Sequence, residues 1–367
     1  MRAKKRPDGR YVETYVHNGK RKFFYGKTAA EAKDKKSLFL NNIKEAPNFD
    51  SDVTLGEWLD EYLSDSEKRV SRATYSSYKG IVNNHIRPVI GAYILGDIQP
   101  PMIRHLLDDL YDNGKSTRTI EYVHTILKAA FEMAVDEGFI YRNPAKRVKH
   151  PKVVTKEKIV LSISQLQRLL KHIDNQVFYR IVYLAVNTGL RREEILALRI
   201  NDVNLSKGTI TVSQTVHYDD RETYITDTAK NKTSLRTIMI DSKTMGMIQD
   251  QINDVKKHQD QTFGYEDHGL LFPNQKGSPL FPAYVSRMVQ EYGKAANMPK
   301  GFSFHSLRHT HATLLLQEGI NYKSVQTRLG HSTAKITMDT YAHVTPQMEK
   351  DVLLSIGKIM QETKEAK

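Results

Sequence analysis

Two linker-like stretches divide this chain and limit the folds it can adopt. Residues 142–158 contain Pro144 and Pro151, lack apolar periodicity and carry seven basic side chains against one acidic. Pro47 to Val53 reads as a second, shorter linker. The 367 residues therefore divide into separate segments, too long together for one ordinary core. No segment approaches the run of about 18 apolar residues that a membrane span needs. The basic start, Met1-Arg2-Ala3-Lys4-Lys5-Arg6, is not followed by an apolar run, so no secretory signal is expected. Cysteine is absent, which removes disulfides, cysteine nucleophiles and thiolate zinc sites and fits a reducing, cytoplasmic setting.

Charge is the next constraint. The net charge is +13, unevenly spread. Residues 1–50 carry +7 and residues 142–158 carry +6. Two basic zones separated by a more balanced stretch suit a polyanion held at more than one place. The bland alternative is a basic tail and a solvated linker. Lys20, Arg21 and Lys22 in the first zone, and Lys146, Arg147, Lys149 and Lys152 in the second, are the candidate phosphate contacts.

Local patterns fill in the segments. Asn18-Gly19 between two aromatic and β-branched runs predicts a hairpin over 9–25, with Lys20-Arg21-Lys22 as a basic loop. A helix from Thr28 to about Asn42 follows, with Glu31 three residues after its cap. Thr54 and Glu57 repeat that cap spacing, and Leu55, Trp58, Leu59 and Tyr62 keep a helical period. Further helices are expected at 74–86, 100–111 and 117–137, with breaks at Pro88 and Pro144. Beyond 160 come helices around Phe178–Asn187 and Leu190–Leu198. Short strands follow at 209–212, over the stretch 216–225 and at 236–240, then helices to about 361. The fold expected is mainly α and multidomain: an α+β module over 1–45, a helical domain over 54–145, a basic linker over 146–159 and a mostly helical domain with a small antiparallel sheet over 160–346. A last helix lies within 347–367.

Four polar clusters lie in the third segment: Thr188-Gly189-Leu190-Arg191-Arg192-Glu193-Glu194, Lys230-Asn231-Lys232, His305-Ser306-Leu307-Arg308-His309, and Gly330-His331 followed by Asp339-Thr340-Tyr341-Ala342-His343. His305 and Arg308, three apart on a helix, share a face. With Arg191 at the start of another helix they make an anion clamp. Two guanidiniums suit the non-bridging oxygens of a pentacoordinate phosphorane. Tyr341 is then the candidate nucleophile, and a Lys or His must protonate the leaving oxygen.

These clusters resemble the tyrosine recombinases, the phage-integrase family. The resemblance runs through Thr188-Gly189-Leu190-Arg191 with Glu194, the His-x-x-Arg pair His305 and Arg308, the Leu-Gly-His box Leu329-Gly330-His331, and Tyr341 ten residues later. It implies that 1–45 binds arm-type DNA sites, 54–145 binds the core site and 160–346 carries catalysis. Integrases of temperate phages and Gram-positive conjugative transposons share this layout. It implies cleavage and rejoining of duplex DNA through a 3′-phosphotyrosyl intermediate and a Holliday junction, by a homotetramer and without a cofactor. Arg191 and Arg308 would clamp the phosphate and Lys230 would act as general acid, with Lys232 two residues away as the other candidate. His305 would be the acid/base partner of Tyr341. His331 would bind the phosphate or assist the base, and Glu194 would orient an arginine or histidine. Accessory partners would be a host DNA-bending protein or an excision factor.

His309 and His311 are read as structural, and lone histidines without ligand spacing give no metal site. The apolar stripe Met348, Val352, Ile356, Ile359 and Met360 packs either on its own domain or, as the resemblance implies, on a neighbouring protomer. Two other readings share these residues: a type IB topoisomerase-like relaxation enzyme and a catalytically idle DNA-binding regulator.

Overall fold

The computed structural model describes residues 4–17, 20–45, 52–154, 158–219, 222–227 and 235–330. The chain forms two compact units, Met1–Thr155 and Lys156–Lys367. Among the described residues no helix is long and apolar enough to cross a membrane.

The first unit opens with an antiparallel sheet in the order β1 (Lys4–Lys5), β2 (Tyr11–His17) and β3 (Lys20–Gly26). The register runs from Tyr11↔Gly26 to His17↔Lys20, so two residues connect β2 to β3. Helix α1 (Ala29–Glu45) starts where Thr28 Oγ1 accepts the Glu31 amide, and it buries Ala32 and Phe39. Phe39 meets Phe24 at 5.2 Å and Tyr15 at 6.3 Å between ring centroids.

This geometry corrects the reading of Lys20-Arg21-Lys22 as a loop. All three lie in β3, where side chains alternate between faces. Lys22 turns inward and lies 5.1 Å over the Phe39 ring, whereas Arg21 shares the exposed face with Phe23. The Lys20 side chain lies outside the described residues.

The helical part contains α2 (Leu55–Arg69), α3 (Arg72–Ile81), α4 (Arg87–Ile90), α5 (Pro100–Asp112) and α6 (Thr117–Asp136). The Thr54–Glu57 capping box forms, with Thr54 Oγ1 accepting the Glu57 amide and Glu57 Oε2 accepting the Thr54 amide. Trp58 is buried, and its Nε1 donates to the Ala130 carbonyl at 2.8 Å. The α6 stripe Ile120, Val123, Ile126, Leu127, Ala130, Phe131 and Ala134 is wholly inside. Pro88 does not end its helix: a π-helical turn, Val82–Ile86, joins α3 to α4 and lets the chain continue through the proline.

The basic stretch after α6 is anchored rather than free. Ala145 and Val148 are buried in the helical core, and His124 Nε2 lies 3.0 Å from the Ala145 carbonyl. Asn143 Nδ2 donates to the Lys128 carbonyl, and the Val154 amide donates to Thr117 Oγ1. Two apolar residues are too few to register as a period. Lys146, Arg147, Lys149 and Lys152 all remain exposed.

The second unit is built around α8 (Gln176–Thr188), preceded by α7 (Ile163–Lys171) and followed by the short α9 (Arg192–Ala197). A sheet in the order β4 (Val203–Asn204), β5 (Thr209–Val212), β8 (Arg236–Met239) packs beside it. The stretch expected as one strand over 216–225 is a separate hairpin of β6 (Gln214–Asp219) and β7 (Glu222–Asp227). Its turn carries none of the glycine or asparagine that would have marked it. Helices α10 (Ser242–Gln261), α11 (Pro282–Ala295), α12 (Phe304–Gln317) and α13 (Tyr322–Leu329) complete the described part, and α12 packs on α8 and α13.

Candidate functional site

Helix α8 ends on Gly189, which adopts φ +67. The next turn buries Leu190 and starts α9 with Arg191 at its cap. Glu194, in the first turn of α9, reaches back so that its Oε2 accepts the Arg191 amide at 2.8 Å. The same carboxylate accepts Arg191 Nη1 at 2.7 Å. It also accepts Arg236 Nη1 at 3.1 Å and Nη2 at 2.8 Å. Glu194 is 1% exposed. Burial pushes its carboxyl up, but the hydrogen bonds and charge of Arg236, with the charge of Arg191, outweigh this and hold it below the usual range. Glu194 thus stays ionised and braces two arginines.

The α12 helix supplies the facing wall. Its first turns present His305 and, three residues on, Arg308. Arg308 is 2% exposed, and its Nη1 and Nη2 donate to the carbonyls of Gly189 and Leu329, both at 2.7 Å. Those carbonyls lie at the ends of α8 and α13, helices that each close on a left-handed glycine, Gly189 and Gly330. The negative ends of two helix dipoles therefore stabilise this buried guanidinium. The His305 ring meets the His309 ring edge-on at 4.4 Å. His305 keeps solvent contact as a residue, yet the protein crowding its ring, together with the charges of Arg308 and Arg191, holds its imidazole below the ordinary value.

Arg191, His305 and Arg308 meet at a cavity of about 230 Å³, also lined by Leu190, Arg192, Glu193, Ser286, Ser303 and Phe304. Arg192 and Glu193, beside Arg191 in the first cluster, also stand in the cavity wall, where Arg192 contacts Ser286 Oγ. Lys230, Lys232, His331, Tyr341 and the helix expected within 347–367 lie outside the described residues.

Two further residues, Arg236 and Arg328, carry no signal in the motifs. Arg236 occupies a buried position on β8 beside Ile238. The alternation Arg236-Thr237-Ile238 carried the signal, since a strand with Ile238 inward also turns Arg236 inward. Arg328, in the last turn of α13, donates from Nε to His311 Nε2 at 3.2 Å. Its Nη1 and Nη2 donate to the carbonyls of Met239 and Asn187. His311 was expected to be structural. It is buried, its Nδ1 lies 2.8 Å from the Val186 carbonyl, and burial with the Arg328 charge pushes it down to about 4. A neutral ring protonated at Nδ1 satisfies both contacts.

Residues 160–348 match the phage integrase family model, and residues 54–111 match the N-terminal SAM-like domain of phage integrases. A relative from Caldanaerobacter subterraneus, described as tyrosine recombinase XerC-like, is 29% identical over 93% of each chain. The ICEBs1 integrase of Bacillus subtilis is 28% identical over 79% of each chain. Among solved structures, the Tn1549 transposon integrase in complex with circular intermediate DNA matches with TM-score 0.67 and 22% identity, covering 82% of this chain and 99% of that one. A lambda integrase tetramer bound to a Holliday junction matches with TM-score 0.61 and 21% identity, over 92% and 93% of the two chains. At these identities the structural likeness is one of fold.

Proposed function

The chain belongs to the phage integrase family and is a tyrosine-type DNA recombinase, and from that premise we propose that it integrates and excises a mobile element by site-specific strand exchange. The observation that carries this reading is the convergence of Arg191, His305 and Arg308 on one cavity, each arginine held from behind by carbonyl or carboxylate oxygens. Guanidiniums fixed in this way need no reorganisation as charge builds on a phosphorane.

In the proposed reaction the Tyr341 oxygen attacks the scissile phosphorus. The phosphodiester bond to the 5′ oxygen breaks, and that oxygen leaves with a proton from Lys230. His305 takes the tyrosine proton, while Arg191, Arg308 and His331 hold the non-bridging oxygens. The 3′-phosphotyrosyl bond stores the energy of the cleaved bond, so a 5′-hydroxyl from a partner strand can reverse the step without an added cofactor. Two duplexes and four protomers would complete the exchange through a Holliday junction. Residues 1–45 would hold arm-type sites, and the exposed side of 146–152 would follow a phosphate backbone.

The test uses supercoiled plasmids carrying one or two copies of the element's junction sequence. Recombinant product that requires two copies is expected. Efficient relaxation of the one-copy plasmid without recombination would favour a topoisomerase, and binding without either product would favour an idle regulator.

A further inference from the structure

The last turn of α13 presents three successive carbonyls, and each accepts from a different arginine. The Arg328 carbonyl takes Arg236 Nε at 2.8 Å, the Leu329 carbonyl takes Arg308 Nη2 at 2.7 Å, and the Gly330 carbonyl takes Arg191 Nη2 at 3.4 Å. Two of these arginines line the cavity, and the third braces Glu194 behind Arg191. The helix end is therefore a mount for the cationic side of the site. Beside the packing of Val325 and Leu329 against α12, one side chain ties this turn to its neighbours. Arg328 ties it to the end of α8 through Asn187, to the end of β8 through Met239 and to α12 through His311, at 3.1–3.2 Å.

We propose that Arg328 is a positioning residue for strand cleavage, holding the α13 carbonyls in the register that aims Arg191 and Arg308 at the scissile phosphate. This rests on the recombinase reading above. The guanidinium suits the task because its planar fork reaches three acceptors on three elements at once, which a lysine ammonium at the end of a flexible stem does not. Arg328 does not line the Arg191–His305–Arg308 cavity, so its effect must pass through the residues that do. A shift of about 1 Å in a mounted guanidinium is enough to slow a positioned reaction while leaving most backbone-phosphate contacts intact.

The experiment follows covalent adduct formation by full-length protein on duplex DNA nicked beside the scissile phosphate. Single-turnover rates over a range of protein concentrations separate the maximal rate from apparent affinity. Arg328→Met, which keeps the apolar stem, is expected to lower the maximal rate at least about tenfold with affinity changed less than about threefold, and Arg328→Lys to recover little of the rate. In Arg328→Ala, millimolar ethylguanidinium should restore the rate more than sodium chloride of equal ionic strength, a rescue that general destabilisation would not give. If the alanine variant does not fold, Arg328→Met carries the rate test alone. A wild-type maximal rate in Arg328→Met, or a loss confined to affinity, would overturn the proposal. So would equal effects of the two salts on a folded alanine variant. Absence of adduct from the wild-type protein would instead reject the recombinase reading, and with it the role given to Arg328.

Discussion

Gly189→Ala isolates the packing on which the site depends. Gly189 sits at φ +67, and a methyl group there would lie 2.5 Å from His311 Cδ2 and 2.6 Å from Leu329 Cδ2. Neither neighbour can yield cheaply. Leu329 is fully buried, and the His311 ring is held at both nitrogens by the Val186 carbonyl and Arg328. The left-handed backbone costs an alanine about 1–2 kcal/mol, partly offset by about 0.4–1 kcal/mol from the stiffer unfolded chain. Overpacking adds about 1–3 kcal/mol, for an expected loss of about 1–5 kcal/mol. Gly319→Ala is the control in the same unit: its φ is +76 and its added methyl meets nothing within 4 Å, so only the backbone part, about 0–1.6 kcal/mol, should appear. The only tryptophan, Trp58, lies in the first unit, so its fluorescence does not follow this region. Hydrogen exchange of peptides from α8 and α12 in urea gives the local unfolding free energy instead. Equal losses in the two variants would refute the steric argument.

Three other expectations are open to direct measurement. His311 titrates near 4 when folded and near 6.5 when unfolded, so the unfolded chain binds the extra proton between those values and stability should rise with pH across that window. His311→Gln should remove up to about 1.4 kcal/mol per pH unit of that slope in urea titrations, and an unchanged slope would contradict the assignment. Arg191→Lys and Arg308→Lys should each slow single-turnover cleavage about a hundredfold with little loss of DNA affinity, because the planar forks are lost while other phosphate contacts remain; near-normal rates in both would refute the clamp. Replacing Lys146, Arg147, Lys149 and Lys152 together with glutamine should flatten the slope of log affinity against log salt by about three to four. An unchanged slope would mean that these exposed charges face solvent even when DNA is bound.

What the sequence made legible was what local chemistry decides. The Thr54–Glu57 box and the α6 stripe depend on residues three or four apart, and both formed as expected. The shared face of His305 and Arg308 is of the same kind. Arg191 at a helix start with Glu194 behind it is also a local arrangement, since the Glu194 carboxylate caps the turn that presents Arg191. What stayed hidden needs partners distant in sequence. Arg236 is 42 residues from Glu194, and Arg328 acts on Asn187 and Met239 through a fold that no short pattern announces. Lys22 looked like a phosphate contact because composition does not say which face of a strand a charge occupies. Ala145 and Val148 were hidden by the charges around them.

The central claim is that Tyr341 is the group that takes the DNA phosphate. It is tested most directly by trapping the adduct on the nicked duplex, digesting the complex and locating the nucleotide-bearing peptide by mass spectrometry. The account predicts a peptide modified at Tyr341, and loss of the adduct in Tyr341→Phe with DNA binding retained, because that change removes one hydroxyl and keeps the ring. An adduct on any other residue, or undiminished adduct in Tyr341→Phe, would contradict it.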